Sequence, residues 1–185
     1  MTVPAPNVSL HEITSANRAA VEALTVTAVQ AEYVTGVAES LVEAAETPDA
    51  CPWYRAVYTD DRPVGFVMIS DGITVVNPAY LGPHFLWRLL IDQRYQGRGY
   101  GSAALRLVVE YVRTRPGARV LLSSMVQGPA SPIGFYLRQG FRATGEAHED
   151  ELVLELDLLA PRSSGSKPLG SLDHEAHRHL TRLQV

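Results

Sequence analysis

The chain has 185 residues, enough for one domain with a sizeable core and too few for two. Hydrophobic residues make up 46% and charged residues 19%, which places it among folded globular proteins rather than disordered or fibrous ones. A formal net charge of -4 argues against broad nucleic-acid binding, and no apolar run approaches the length of a membrane span.

The start, MTVPAPNV, lacks the basic and apolar regions of a secretory leader. Cys51 is the only cysteine, so no internal disulfide forms, and a reducing cytoplasm is the expected location. Val8 to Ile13 predicts a first strand. Thr14 or Ser15 is a candidate cap for a helix running through Leu24. A second helical pattern covers Ala31 to Ala45, with Gly36 as its weak point. Its candidate apolar face is Val34, Ala38, Leu41 and Ala45. Acids dominate the first fifty residues, where Arg18 is the only arginine or lysine. Glu32, Glu39, Glu43 and Glu46 are spaced by seven, four and three, which predicts one acidic stripe along a single helix.

Trp53–Tyr58 and Val64–Ile69 predict a hairpin around the turn TDDRP. A Gly- and Pro-containing loop follows. His84 to Ile91, HFLWRLLI, has the mostly apolar composition of a central strand buried on both faces. Gly101 to Arg113 predicts a helix with Ala104, Leu107, Val108 and Tyr111 on one face. Pro116-Gly117 stops it, and Val120 to Ser123 is the next strand. Strand, helix and strand in this order imply a crossover between parallel strands. Ser131-Pro132 marks the start of a short helix ending at Gly140. Phe141–Glu146 and Glu151–Leu158 close the fold around AHED. Beyond residue 160 the stretch PRSSGSKPLGS reads as a linker and 161–185 as a flexible tail. His174, His177 and His179 fall in that tail. With no cysteine or ordered core beside them they read as solvated, and no metal is expected.

Between strand and helix lies YQGRGYGSAAL, with Gly97, Gly99 and Gly101 at every second position. A helix start leaves backbone N–H groups unpartnered and carries about half a positive charge. Phosphate satisfies both needs, and glycine lets backbone approach it closely. The nucleotide-hydrolase phosphate loop requires Gly-Lys-Ser/Thr, which is absent here. The dinucleotide fingerprint requires a first-strand position and an acid about twenty residues on; this loop follows several elements and the next strand ends in Leu122-Ser123-Ser124. Read without a relative in mind, the loop is either a phosphate cradle or a tight structural turn.

Gln96-Gly97-Arg98-Gly99-Tyr100-Gly101 resembles the Q/R-x-x-G-x-G/A signature of GNAT-type N-acetyltransferases. Phe135-Tyr136-Leu137-Arg138-Gln139-Gly140-Phe141 resembles the same family's F-Y-x-x-x-G-F segment. The resemblance runs from Val8 to Leu158. Within the family, WRLLIDQRYQGRGYG is most similar to bacterial spermine/spermidine, or diamine, acetyltransferases. It implies an α/β (α+β) domain over 1–160, with a mixed sheet of six to seven strands, splayed parallel central strands and helices on both faces. It implies acetyl-CoA as cosubstrate. The backbone of Leu89, Leu90 and Ile91 would meet the pantetheine arm. The loop of Gln96, Gly97, Arg98, Gly99, Tyr100, Gly101 and Ser102 would meet the pyrophosphate. Tyr136 matches the tyrosine that protonates the leaving thiolate. Pro129 stands where many relatives carry a cofactor-holding asparagine.

The implied acceptor is a small-molecule primary amine, with a polyamine such as spermidine favoured by the acidic stripe. Glu32, Glu39, Glu43 and Trp87 are its candidate contacts. An alkylamine is neutral about once in 10^3 molecules at pH 7, a cost of roughly 4–5 kcal/mol, so a base or water chain is expected. Arg88, beside Trp87, is no such base. Alternatives are acetylation of an amino-sugar antibiotic or a protein N-terminus, and a non-catalytic coenzyme A sensor. The resemblance also raises a homodimer.

Overall fold

The computed structural model describes residues 6–74 and 81–160. The predicted tail, with its three histidines, lies outside the described residues. Seven strands form one sheet in the order β1-β2-β3-β4-β5-β7-β6. They are β1 (Ser9–His11), β2 (Pro52–Thr59), β3 (Arg62–Asp71), β4 (His84–Ile91), β5 (Val120–Met125), β6 (Arg142–His148) and β7 (Glu151–Asp157). All neighbours are antiparallel except β4 and β5. The mixed sheet with a parallel centre is the one expected.

Alternation along β3 sends side chains to two cores. Phe66 and Met68 join Ala56 and Leu90 under α1 (Arg18–Glu22) and α2 (Val37–Glu46). Val67 and Ile69 join Val57 and Leu86 under α3 (Tyr100–Arg113). The buried side of α3 is Ala103, Ala104, Leu105, Val108, Val109 and Val112, a broader face than periodicity indicates. Leu107 and Tyr111 sit at its half-buried margins. Among the described residues, no helix is long and apolar enough to cross a membrane.

The helix expected over Ala31–Ala45 is two elements. Gln30–Glu32 forms a single 3-10 turn, and Gly36 becomes the extended N-cap of α2 with φ -64° and ψ 164°. The buried face of α2 is therefore Val37, Ser40, Leu41 and Ala44, and Ala38 and Ala45 are exposed. Burying Val37 and Leu41 contributes about 1.5–3 kcal/mol each. Ser40 is buried at no polar cost because its hydroxyl donates to the Gly36 carbonyl at 2.8 Å. Glu32 is thereby severed from the acidic stripe. Ser131 also differs from expectation: its hydroxyl donates to the Val126 carbonyl at 2.7 Å instead of capping α4 (Ile133–Arg138).

Candidate active site

The parallel ladder between β4 and β5 is very short. Only Phe85↔Leu122 and Leu86↔Ser123 pair, reinforced by the Ser123 hydroxyl donating to the Leu86 carbonyl at 3.0 Å. From Arg88 to Ile91, β4 pairs with β3 alone. The opposite edge faces a gap, and two cavities occupy it.

The first, of about 480 Å³, lies against Leu89, Leu90 and Ile91 and the loop leading into α3. Gly97 has φ 74° and Gly99 has φ 83°, both in the left-handed region where a side chain is strained. Gly99 is the N-cap of α3, and the first intrahelical bond runs from the Ala103 N–H to the Gly99 carbonyl at 3.0 Å. The N–H groups of Tyr100, Gly101 and Ser102 thus precede the helical ladder, at the positive end of the dipole. Gly101 packs on Phe135, whose ring a Cβ there would touch at 3.5 Å. Gln96, Gly97, Gly99, Tyr100, Gly101 and Ser102 all line this cavity. Arg98 does not: it is exposed, with its guanidinium 5.8 Å from the Tyr95 ring centre. The Ile91 carbonyl is already taken, accepting from Gln96 Nε2 at 2.8 Å. The Asp92 N–H bonds the Val64 carbonyl, so in the same register the Leu90 backbone faces Phe66 on β3, and the unpaired edge available to a ligand is Leu89 together with the Ile91 N–H.

The second cavity, of about 460 Å³, lies between β4, the end of β5, α2 and the β6–β7 turn. Its acids are Glu32, Glu43, Glu149 and Glu151, and the basic groups among its lining residues are Arg88 and His148. Arg88 donates to Glu43 Oε2 at 2.7 Å and to the Trp87 carbonyl at 2.9 Å. Burial pulls the Arg88 guanidinium below its usual range, while Glu43 and Glu151 act in the opposite sense. The Ser124 hydroxyl bonds the Glu151 carboxylate. Trp87 forms part of the wall and packs on the α1/α2 core.

Of the predicted acceptor contacts, Glu32, Glu43 and Trp87 reach this cavity. Glu39 does not: it is exposed on the outer side of α2 and lines neither space, because the α2 face turned to the sheet is Val37, Leu41 and Ala44. The expected acidic stripe is replaced by acids from three separate places. Tyr33, His148, Glu149 and Glu151 were not anticipated. AHED was legible as a turn, but nothing local shows which strand that turn will face.

The cavities share Tyr33, Val34, Leu89, Pro132 and Tyr136. Tyr136 stands on the short helix α4. Gly140, at φ 96°, lets the chain reverse, and the Phe141 N–H returns to the Tyr136 carbonyl at 3.1 Å. The Phe141 ring then meets Tyr136 edge-on at 5.4 Å, and Phe135 meets it at 5.0 Å. This pinned ring is 5% exposed, and burial pushes its hydroxyl well above the usual tyrosine range. The phenol stays protonated and can donate a proton or hydrogen bond where the two spaces join.

Comparison with known proteins finds relatives in sequence and in fold. The sequence pattern of the acetyltransferase (GNAT) family matches residues 13–141. The chain is 28% identical over 142 residues to a spermine/spermidine N(1)-acetyltransferase of Bacillus subtilis, covering 76% of this chain and 91% of that protein. It is 32% identical over 131 residues to the peptidyl-lysine N-acetyltransferase YjaB of Escherichia coli, covering 71% and 75%. The PaiA N-acetyltransferase of Thermoplasma acidophilum, solved in complex with coenzyme A, shares the fold with a TM-score of 0.58 at 11% identity, covering 82% of this chain and 99% of that one. The chain belongs to the acetyltransferase (GNAT) family.

Proposed function

We propose that the protein transfers an acetyl group from acetyl-CoA to a primary amine, with a polyamine or diamine as acceptor. The observation that carries this is the meeting of a diphosphate-sized helix-terminus cradle and an acid-lined cavity at one protonated tyrosine.

The residues present fit the cosubstrate. The left-handed Gly97 and Gly99 bring main chain close without side chains in the way, and Gly97 has open space where its Cβ would stand. The N–H groups of Tyr100, Gly101 and Ser102 would receive the diphosphate. The free edge at Leu89 and the Ile91 N–H would pair with the amides of the pantetheine arm. Acetyl-CoA supplies an activated thioester carbonyl when bound. The neutral amine nitrogen would bond to that carbonyl carbon and the C–S bond would break, Tyr136 giving its proton to the departing sulfur, whose thiol has an ordinary pKa near 8.5, while the proton shed by the nitrogen restores the phenol.

Among the described residues the acceptor cavity holds four glutamates against one arginine and one histidine. Glu43 is matched by Arg88 and Glu151 accepts from Ser124, so Glu32 and Glu149 carry the acidic excess a ligand would meet. A molecule carrying several ammonium groups on an alkyl chain suits that balance, with Trp87 beside the methylenes. Peptidyl-lysine is a second reading, supported by the 32% identity to YjaB.

Mass spectrometry with acetyl-CoA and a panel of spermidine, spermine, diamines, an aminoglycoside and lysine peptides tests both. Acetylated spermidine or diamine is the expected product. Unmodified polyamines and diamines beside an acetylated peptide would move the acceptor to protein. Coenzyme A binding with no turnover on any amine would favour a sensor.

A further inference from the structure

We infer that Gln30 is a positioning residue whose amide pair with Gln96 ties the acceptor cavity to the acetyl-CoA loop. Its kinetic test rests on the acetyl-transfer reading; its structural test does not. Gln30 Nε2 donates to Gln96 Oε1 at 3.0 Å, and Gln96 Nε2 donates back to Gln30 Oε1 at 3.0 Å. The second hydrogen of Gln96 Nε2 goes to the Ile91 carbonyl at 2.8 Å, which fixes the orientation of that amide. Gln30 Oε1 also accepts from the Thr27 N–H and hydroxyl at 3.2 and 3.1 Å. The pair is partly buried and joins residues 66 apart in sequence.

Gln30 opens a 3-10 turn of three residues, too short to hold its own shape. What it carries lies at the heart of the site. Gln30 lines the first cavity, Glu32 and Thr35 line the second, and Tyr33 and Val34 line both. Upstream, the Thr25 N–H donates to Asp92 Oδ2 at 3.0 Å and its carbonyl accepts from the Gln93 N–H at 2.8 Å. Downstream, Tyr33 lies so close over Gly128 that a Cβ there would collide with its hydroxyl. The segment from Thr25 to Thr35 therefore spans both cavities and is tethered to residues 92–96. Those residues lead directly into the glycine loop. A ligand that immobilises Gly97 to Ser102 immobilises Gln96, and through Gln30 it fixes Tyr33 and Val34. Because coupling is reciprocal, acetyl-CoA sharpens the acceptor cavity and an acceptor tightens acetyl-CoA.

The test uses the full chain. Gln30→Ala is expected to raise the KM for spermidine about tenfold at saturating acetyl-CoA, a larger effect than on kcat. The swapped ion pair Gln30→Glu/Gln96→Arg is expected to bring that KM back to within about threefold of wild type, which neither single change does. An unchanged KM in Gln30→Ala, or a double variant no better than its worse parent, overturns the inference. Hydrogen exchange provides a readout free of turnover: saturating coenzyme A should slow exchange over residues 26–35 distinctly more in wild type than in Gln30→Ala, where direct contact alone remains. If wild type acetylates no amine, this experiment decides alone, and equal protection in both proteins, or none in wild type, overturns it.

Discussion

Arg88 on β4 reaches Glu43 on α2, its Nη2 donating to the carboxylate at 2.7 Å across one wall of the second cavity. The Arg88 side chain is 18% exposed, and its Nε is buried without a hydrogen-bond partner among the described residues. Glu43→Gln removes that cation's hydrogen-bonded counter-charge and leaves only the more distant Glu151. We expect a loss of about 1–3 kcal/mol in urea denaturation. Adding Arg88→Met should recover most of the loss, because an apolar side chain asks nothing of its surroundings.

Tyr136→Phe keeps both edge-to-face ring contacts and removes only the donor. kcat should fall about 10^2-fold while coenzyme A affinity stays within about twofold. Steady-state kinetics and calorimetry separate the two. Since burial raises the phenol above its usual value near 10, the wild-type kcat should show no descending limb from this group below about pH 10. A tyrosinate limb near neutrality would remove Tyr136 from the donor role.

The two glycines at the α3 start should respond differently to alanine. At Gly99, φ is 83°, so alanine costs about 1–2 kcal/mol or twists the amides away. Gly101 lies within the helix, and its added methyl meets Phe135 at an ordinary 3.5 Å. Calorimetric titration should show coenzyme A weakened about tenfold by Gly99→Ala and within about threefold for Gly101→Ala.

Asp92 is fully buried and accepts from the Arg94 Nε, Nη2 and N–H and from the Thr25 N–H. Arg94, chiefly by its side-chain hydrogen bonds, holds the Asp92 carboxyl at about 2, below the ordinary 3.8. A depressed folded-state pKa stabilises the fold above the ordinary value, and that contribution drains away as pH falls from about 4 to 2. Asp92→Asn should cost about 2 kcal/mol at neutral pH and flatten stability between pH 4 and 2. Thermal melts across that range, for both proteins, give the comparison.

Local chemistry wrote much of this fold into the sequence. The bounds of β4 came from its apolar run, and the start of α3 was placed within one residue by the glycines. The reversal at Gly140 makes F-Y-x-x-x-G-F a physical unit, since the glycine returns Phe141 to the tyrosine. Gly36 is the exception. A single glycine inside an otherwise helical pattern can be tolerated or can end the helix, and here it sets the N-cap. That shifted the buried face of α2 and scattered the acidic stripe. What was illegible was long-range. Gln30–Gln96, Arg88–Glu43 and Ser124–Glu151 join positions 66, 45 and 27 apart, and no periodicity encodes such meetings.

The brevity of the β4–β5 ladder has a mechanical consequence. Two residue pairs are the whole parallel ladder joining a four-strand block to a three-strand one, with α3 bridging above. The sheet carries a built-in seam. A bound pantetheine arm would lie along it like a missing eighth strand, so the cosubstrate should act as a splint as well as an acyl donor, and the loaded protein should melt at higher temperature than the empty one.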